Sequence, residues 1–371
     1  MRRKVLVSFV ALFCISGLIC TFSPSFELWL AARVLWGAST MGLRSIKIVT
    51  SLEMIGSSWR AIICVGFIEG GWTAGYLTLP LVSWLIPNGF YLQLIVALSI
   101  LPGLPLIYCL QESPRWLLAT GKTFECQQSL KNILKFNRKD TVVPNLAPKH
   151  IEEKRAKANF WDLFKKPMIR RNTIVISLAW FSLGMLYFGL SLHMPEFDAN
   201  IYLIFFLAGL VEIPADILPF ILLNRFGRRW TLVFHYILGG ILCMSTAAVP
   251  LGVYTYEWPI VVLAMCGKYV SQVCWGIVYL YTTELFPTVV RSVGLSFACS
   301  MARLGSMLAP FIASLAYVDP ILPIFIFGVV TFVVGVQAII LPETNKKKLP
   351  DTLEEGELFY VANNPFKRYC Q

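Results

Sequence analysis

Charge is scarce in this 371-residue sequence: Asp, Glu, Lys and Arg together make 14% of it, against roughly 25% in soluble domains. The apolar share is 57% and the mean hydropathy is +0.66, which excludes a soluble enzyme and a disordered chain alike. Histidine is limited to His150, His193 and His235. With no Cys-x-x-Cys pair and no His-Glu-x-x-His run, neither a metal site nor a cofactor is expected. Eight of the ten cysteines lie in apolar stretches, only Cys126 and Cys370 in polar ones, so a disulfide framework is excluded. Paired catalytic groups and Asn-x-Ser/Thr sequons are absent too. What remains is an integral membrane protein that is not an enzyme.

A helix needs about 20 apolar residues to cross the hydrocarbon layer. Ten stretches qualify: Val5 to Phe22, Leu28 to Thr50, Ala61 to Ile86, Phe90 to Leu110, Asn172 to Leu192, Ile201 to Leu223, Trp230 to Pro250, Trp258 to Tyr281, Ser292 to Tyr317 and Ile321 to Leu341. Each is expected to be helical, because lipid offers the backbone no partners. The basic residues Arg2 to Lys4 precede the first stretch, which is read as a span, since no small-residue cleavage site follows it.

Orientation follows from where Lys and Arg fall outside the spans. One side holds Arg2 to Lys4, Arg60, the loop from Arg115 to Arg171, Arg225, Arg228, Arg229, Arg291 and the tail with Lys346 to Lys348, Lys367 and Arg368. The other holds Glu27, Glu196, Asp198, Glu257 and Asp319. Both termini and the central loop are therefore expected in the cytoplasm, and the net charge of +11 reads as a topology signal, with no nucleic-acid partner. The plan is a four-span bundle over residues 1–110, a loop over 111–171, a six-span bundle over 172–341 and a tail over 342–371. Within the loop, Thr123 to Asn137 is expected to be a short helix under the membrane and Phe160 to Phe164 an interfacial anchor. Gly121-Lys122-Thr123 ends like a phosphate-binding loop, but Trp116 stands where that motif needs Gly.

The chain repeats itself. Glu53 and Arg60 are seven apart, as are Glu284 and Arg291, and 59 residues separate Glu53 from Glu112 and Glu284 from Glu343. Arg2-Arg3-Lys4 and Gly227-Arg228-Arg229 each precede an apolar run. Two homologous halves follow, four spans and then six. The symmetry predicts a shortened form of a 6+6 plan with two helices missing at the front.

Parallel six-helix halves with basic cytoplasmic turns are the layout of the major facilitator superfamily. The runs Glu112-Ser-Pro-Arg-Trp-Leu-Leu118, Asn224-Arg-Phe-Gly-Arg-Arg229, Tyr281 to Gly294 and Leu341-Pro-Glu-Thr to Glu355 resemble its organic cation, anion and carnitine transporter family. Sugar porters share the shorter motifs but carry paired glutamines in a helix whose counterpart here, Ile176 to Leu192, lacks them. The resemblance implies an all-α polytopic carrier of the plasma membrane, moving a small organic ion by alternating access. Asn224 departs from the family's usual Asp.

Ionisable groups at membrane depth are costly unless paired or facing water, so each is a candidate for function. They are Arg33, Arg44, Lys47, Glu69, Glu212, Asp216, Lys268 and Arg303. The resemblance implies a carboxylate-binding role for Arg303 and a cation-binding role for Glu212 and Asp216; together they suit a zwitterion of the carnitine type. An organic anion, or a form that transports nothing, remains the alternative. Lys268, Trp275 and Tyr279 share one helical stripe, as do Glu69, Trp72 and Tyr76. Tyr187 and Phe188 resemble an aromatic pair of the family, and ring faces attract ammonium groups. Lys47 and Glu69 complete the candidate substrate set. Glu53, Arg60, Glu112 and Arg115 in one half, with Arg228, Arg229, Glu284, Arg291 and Glu343 in the other, are expected to form a charge lattice that shuts the cytoplasmic face.

Single cysteines at Arg60 and Arg291 in an otherwise cysteine-free chain should be labelled from the same side by an impermeant thiol reagent. Labelling from opposite sides would make the 59-residue repeat accidental.

Overall fold

A bilayer lets a backbone satisfy its hydrogen bonds only within helices or closed barrels, and the computed structural model of this chain takes the first route. It describes residues 2–54, 70–105, 112–114, 117, 122–137, 159–193, 200–250, 253, 258–345, 347, 350 and 352–362. Among these the regular elements are α1 (Arg2–Phe22), α2 (Phe26–Met54), α3 (Gly70–Leu85), α4 (Gly89–Leu98), α5 (Thr123–Phe136), α6 (Asp162–Lys165), α7 (Pro167–His193), α8 (Ile201–Phe226), α9 (Arg228–Ser245), α10 (Trp258–Leu285), α11 (Arg291–Ala313), α12 (Leu322–Gln337) and α13 (Leu353–Ala362), with short 3-10 turns between some of them.

Among the described residues, seven helical stretches are long and apolar enough to cross a membrane: Val5–Phe22, Pro167–His193, Ile201–Leu223, Arg228–Ala248, Trp258–Leu285, Arg291–Tyr317 and Leu322–Ile340. The other three predicted spans are largely helical where they are described. Leu28 to Thr50 lies within α2, whose 29 residues include Glu27, Arg33, Arg44 and Lys47. Ala61 to Ile86 enters the described residues at α3, and Phe90 to Leu110 covers α4 and the turn Leu101–Gly103. Residues 61–69 and 106–110 lie outside them. The predicted loop helix is α5, with Cys126 and Ser129 buried.

The chain divides into two compact units, the first Met1–Trp72 with Leu81–Glu153, the second Thr73–Pro80 with Lys154–Gln371. In the first, α1 packs on α2 and α4 around Cys20, Ala32, Trp36 and Ala97. Gly17 lets α4 approach, since a Cβ there would stand 2.8 Å from that of Ala97. The Arg33 guanidinium lies 4.9 and 5.0 Å from the ring centres of Trp29 and Trp36, which gives a span-borne charge a partner without an acid.

The second unit is built around α7, buried on nearly every side and packed on α10, α11 and α12. Two hydrogen bonds tie α7 across the core: Trp180 Nε1 donates to Thr282 Oγ1 at 2.9 Å, and Tyr236 Oη on α9 donates to the Ala179 carbonyl of α7 at 2.7 Å. Its N-terminus is capped from the tail, where the Glu357 carboxylate on α13 accepts from the Met168 and Ile169 amides at 3.0 and 3.2 Å. That cap puts a negative charge on unpaired N–H groups at a helix start. Outside the spans, hydrogen bonds from Lys165 and from the Asn159 amide hold the Asp162 carboxyl below its usual range. In α8 the exposed Ile213, Ile217 and Ile221 form one stripe. The neighbouring face carries buried Glu212 and Ala215 with half-buried Asp216, so helical period separates a lipid-facing side from a charged inner side.

Helices associate in lipid through close packing of small residues rather than through hydrophobic burial. The α7–α11 crossing shows this twice: a Cβ on Gly184 would meet the Ala302 carbonyl, and one on Gly305 would meet the Phe181 carbonyl. Gly184→Val and Gly305→Val should each cost about 1–3 kcal/mol of overpacking and lower the melting temperature of the detergent-purified protein. Gly37→Ala, with nothing within 4 Å of its Cβ position, should leave it unchanged. Equal behaviour of all three would refute the crossing.

Candidate functional site

Glu212 and Lys268 have no exposed surface, and Lys268 Nζ lies 3.3 Å from Glu212 Oε1. Removing two charges from water costs several kcal/mol each unless they are paired and further hydrogen-bonded, and here both conditions are met. Tyr187 Oη donates to Glu212 Oε1 at 2.6 Å. Lys268 Nζ donates to Ser191 Oγ at 2.6 Å, and Ser191 Oγ in turn donates to the Tyr187 carbonyl at 2.8 Å. The ammonium lies 3.5 Å from the Tyr187 ring centre and 4.6 Å from that of Tyr76. Glu212 Oε2, also buried, has no hydrogen-bond partner among the described residues.

One turn further along α8, Asp216 faces the residue one turn further along α10. Its carboxylate accepts from Gln272 Nε2 and from Thr73 Oγ1, each at 2.8 Å. No cation contacts it among the described residues. Two acids four apart on α8 thus meet a lysine and a glutamine four apart on α10.

Tyr187 and Phe188, implied by the resemblance, and Trp275 and Tyr279, predicted from helical spacing, form one continuous group beside this cluster. Tyr187 contacts Phe188 at 5.2 Å and Trp275 at 6.3 Å between ring centres. Trp180 closes the group, 5.5 Å from Trp275 and 4.5 Å from Tyr279. The Lys268–Trp275–Tyr279 stripe is therefore bridged from α7 by Tyr187 and Trp180. Trp180, Ser191, Thr73 and Gln272 were not singled out from the sequence; the one signal that could have found Gln272 is the four-residue spacing from Lys268, which matches that of Glu212 and Asp216. Arg303 sits half-buried on α11, where Ser306 Oγ donates to its carbonyl and its guanidinium makes no ion pair among the described residues. Lys47 is exposed on α2 in the first unit. Glu69 lies outside the described residues.

The second constellation lies at the α8–α9 turn. Gly227 has φ of +87°, and a Cβ there would stand 2.8 Å from the Glu343 carboxylate, so only glycine lets the chain reverse at this point. The reversal aims the Arg228 and Arg229 amides at Glu343, at 2.9 and 3.1 Å. The Arg228 guanidinium forks onto Glu284 at 3.0 and 3.1 Å and also donates to Asn345 Oδ1 and the Leu223 carbonyl. Thr344 Oγ1 donates to Glu284 at 2.7 Å. Arg228, Glu284 and Glu343 are thereby brought together, with Arg229 joined through its backbone and its guanidinium 4.7 Å from the Trp230 ring centre. Arg291 stands apart: it donates to the Phe286 carbonyl and Thr288 Oγ1, both at 3.3 Å, and closes its own turn. Glu112 accepts a hydrogen bond from Ser129 Oγ at its carbonyl, at 3.1 Å. Arg60, Arg115 and the Glu53 side chain lie outside the described residues.

The fold is that of the major facilitator carriers. It superposes on the proton:xylose symporter XylE bound to 6-bromo-6-deoxy-D-glucose with a TM-score of 0.68, at 19% identity, over 97% of this chain and 83% of that one. A partially occluded inward-open form of the xylose transporter XylE from E. coli gives 0.67 at 18%, over 94% of this chain and 82% of that one. The family model described as sugar (and other) transporter matches residues 1–354. In sequence the chain is 32% identical to organic anion transporter 3 of Oryctolagus cuniculus, over 99% of this chain and 68% of that protein. It is 32% identical to solute carrier family 22 member 13 of Homo sapiens, over 96% and 64%, and 31% identical to solute carrier family 22 member 2 of Rattus norvegicus, over 96% and 64%. The chain belongs to the organic cation, anion and carnitine transporter family of the major facilitator superfamily, a family of multi-pass membrane transporters rather than enzymes. It spans about two thirds of the length of these relatives.

Replacing Glu343 with Ala strips a shared acceptor from four amides, those of Arg228, Arg229, Thr344 and Asn345. The expected cost is about 1–3 kcal/mol, read as a fall in melting temperature. Arg228→Lys keeps the charge and loses the fork, so it should also destabilise. Lys122→Met, which breaks an exposed pair with side chains 49% and 53% accessible, should change stability by less than about 0.5 kcal/mol. A Glu343→Ala variant as stable as the parent would show the cluster to be ornamental.

Proposed function

We propose that this chain carries small organic ions across the plasma membrane by alternating access, with an organic cation or a carnitine-like zwitterion as its preferred cargo. The observation that carries the reading is Asp216, a carboxylate at membrane depth whose hydrogen bonds come from the neutral Thr73 and Gln272. Lys268 already serves Glu212, so the charge that balances Asp216 is supplied by the substrate. The ring group of Tyr187, Phe188, Trp275 and Tyr279 offers faces to an alkylammonium, and Arg303 offers a partner to a substrate carboxylate. For a monovalent cation the membrane potential supplies about 2.3 kcal/mol per 100 mV; a zwitterion needs a coupled ion or an exchange partner. In this reading the Arg228–Glu284–Glu343 cluster acts as a clamp on the cytoplasmic side that is broken and remade as the carrier cycles.

An organic anion is the second reading. It is favoured by Arg303, which has no ion pair among the described residues, and by a relative named organic anion transporter 3. Uptake of tetraethylammonium, carnitine and p-aminohippurate, normalised to surface abundance, separates the two. Asp216→Asn should lower tetraethylammonium or carnitine uptake about tenfold or more, with unchanged surface delivery. Arg303→Gln should impair carnitine but spare tetraethylammonium. Uptake of p-aminohippurate alone, lost in Arg303→Gln and kept in Asp216→Asn, would establish the anion reading instead. Good surface delivery with uptake of none of the three would overturn transport by this form.

A further inference from the structure

The surroundings of Lys268 are those of a receptor for a primary ammonium ion. One carboxylate oxygen, one hydroxyl and two phenol rings converge on Nζ, at 3.3 Å from Glu212, 2.6 Å from Ser191, and 3.5 and 4.6 Å from the ring centres of Tyr187 and Tyr76. These groups come from three different segments, α8, α7 and α3, and the lysine from a fourth, α10. A structural ion pair needs only the acid. Two rings and a hydroxyl on the same nitrogen amount to a cage, and Glu212 Oε2 retains capacity for a further donor. The lysine that fills it is a compact charge on a flexible four-carbon stem, chemically an alkylammonium tethered to the protein.

We infer that Lys268 is a built-in occupant of an ammonium site, a specificity-determining residue that closes the Glu212 cage to cations from solution and leaves Asp216 to receive the positive charge of the substrate. The inference deepens the site reading above, but its test is a binding measurement and does not depend on transport. Shortening the side chain should open the cage. Lys268→Ala removes the stem and the ammonium, leaving a space shaped for propylammonium beside an uncompensated Glu212.

The full chain is purified in detergent, and its melting temperature is followed against propylammonium, with propanol and propionate as controls. Lys268→Ala should show a saturable rise with propylammonium only, at an apparent affinity about tenfold or more above that of the parent. Glu212→Gln/Lys268→Ala should lose that rise. If Lys268→Ala is recovered folded only when cells are grown and membranes are extracted with propylammonium, the cage is equally supported. Three results would overturn the proposal: a folded Lys268→Ala that ignores propylammonium; a parent that responds equally; or a Lys268→Ala that stays misfolded with propylammonium while Glu212→Gln/Lys268→Ala folds, for then the cage rejects an untethered ammonium. Tetraethylammonium uptake can fail entirely without touching this result.

Discussion

Hydrocarbon gives a charge neither water nor counterion, and α8 carries two acids into it four residues apart. How each is compensated organises the inner face of the second unit. Glu212 is buried completely and receives a lysine, a tyrosine hydroxyl and, through Lys268, a serine. Asp216 is half-buried and receives only neutral donors. A fully buried acid demands a full charge in return, whereas a partly solvated one tolerates hydrogen bonds alone. The difference in burial therefore accounts for the difference in partners.

Close packing makes these distances possible. Helices in lipid approach when small residues remove the side chains between them, and α7 carries glycine where it crosses α11 and where it meets Phe327 of α12. That packing fixes α7, the helix that supplies Trp180, Tyr187, Phe188 and Ser191 to the site. At the other constellation the requirement is conformational, since Gly227 supplies a positive φ that directs two amides at a single carboxylate. Glycine thus acts at one site by what it omits and at the other by the backbone it permits.

Hydropathy located every described helix that spans or nearly spans, because twenty apolar residues leave the backbone no alternative. The charged members of the site were legible for a related reason: a charge in an apolar run is conspicuous. Neutral partners were not. Ser191, Thr73 and Gln272 look like ordinary polar residues until α3, α7, α8 and α10 are brought together, and that assembly is a long-range property absent from local pattern. Pairing misled as well. The seven-residue spacing suggests that Glu284 and Arg291 belong together, yet the guanidinium on Glu284 belongs to Arg228, 56 positions away in sequence. Arg291 instead spends its donors on the turn that starts its own helix. Glu284 and Arg291 stand at the end of α10 and the start of α11, and the partner of Glu284 is chosen by the turn geometry at Gly227.

The face between α8 and α10 holds two acids, one lysine and one glutamine, and so keeps one negative charge in excess. A lysine at position 272 in place of glutamine would cancel it and leave a cation no electrostatic reason to enter; a neutral residue at position 268 would double it, at the cost of a buried uncompensated Glu212. The arrangement found lies between these, with Glu212 paired to Lys268 and Asp216 bonded only to neutral donors among the described residues. Arg303 on α11 adds a positive charge with no acid beside it among the described residues. Two unlike charges, each without an ionic partner among the described residues, are the physical ground on which the proposal prefers a zwitterion to a simple anion.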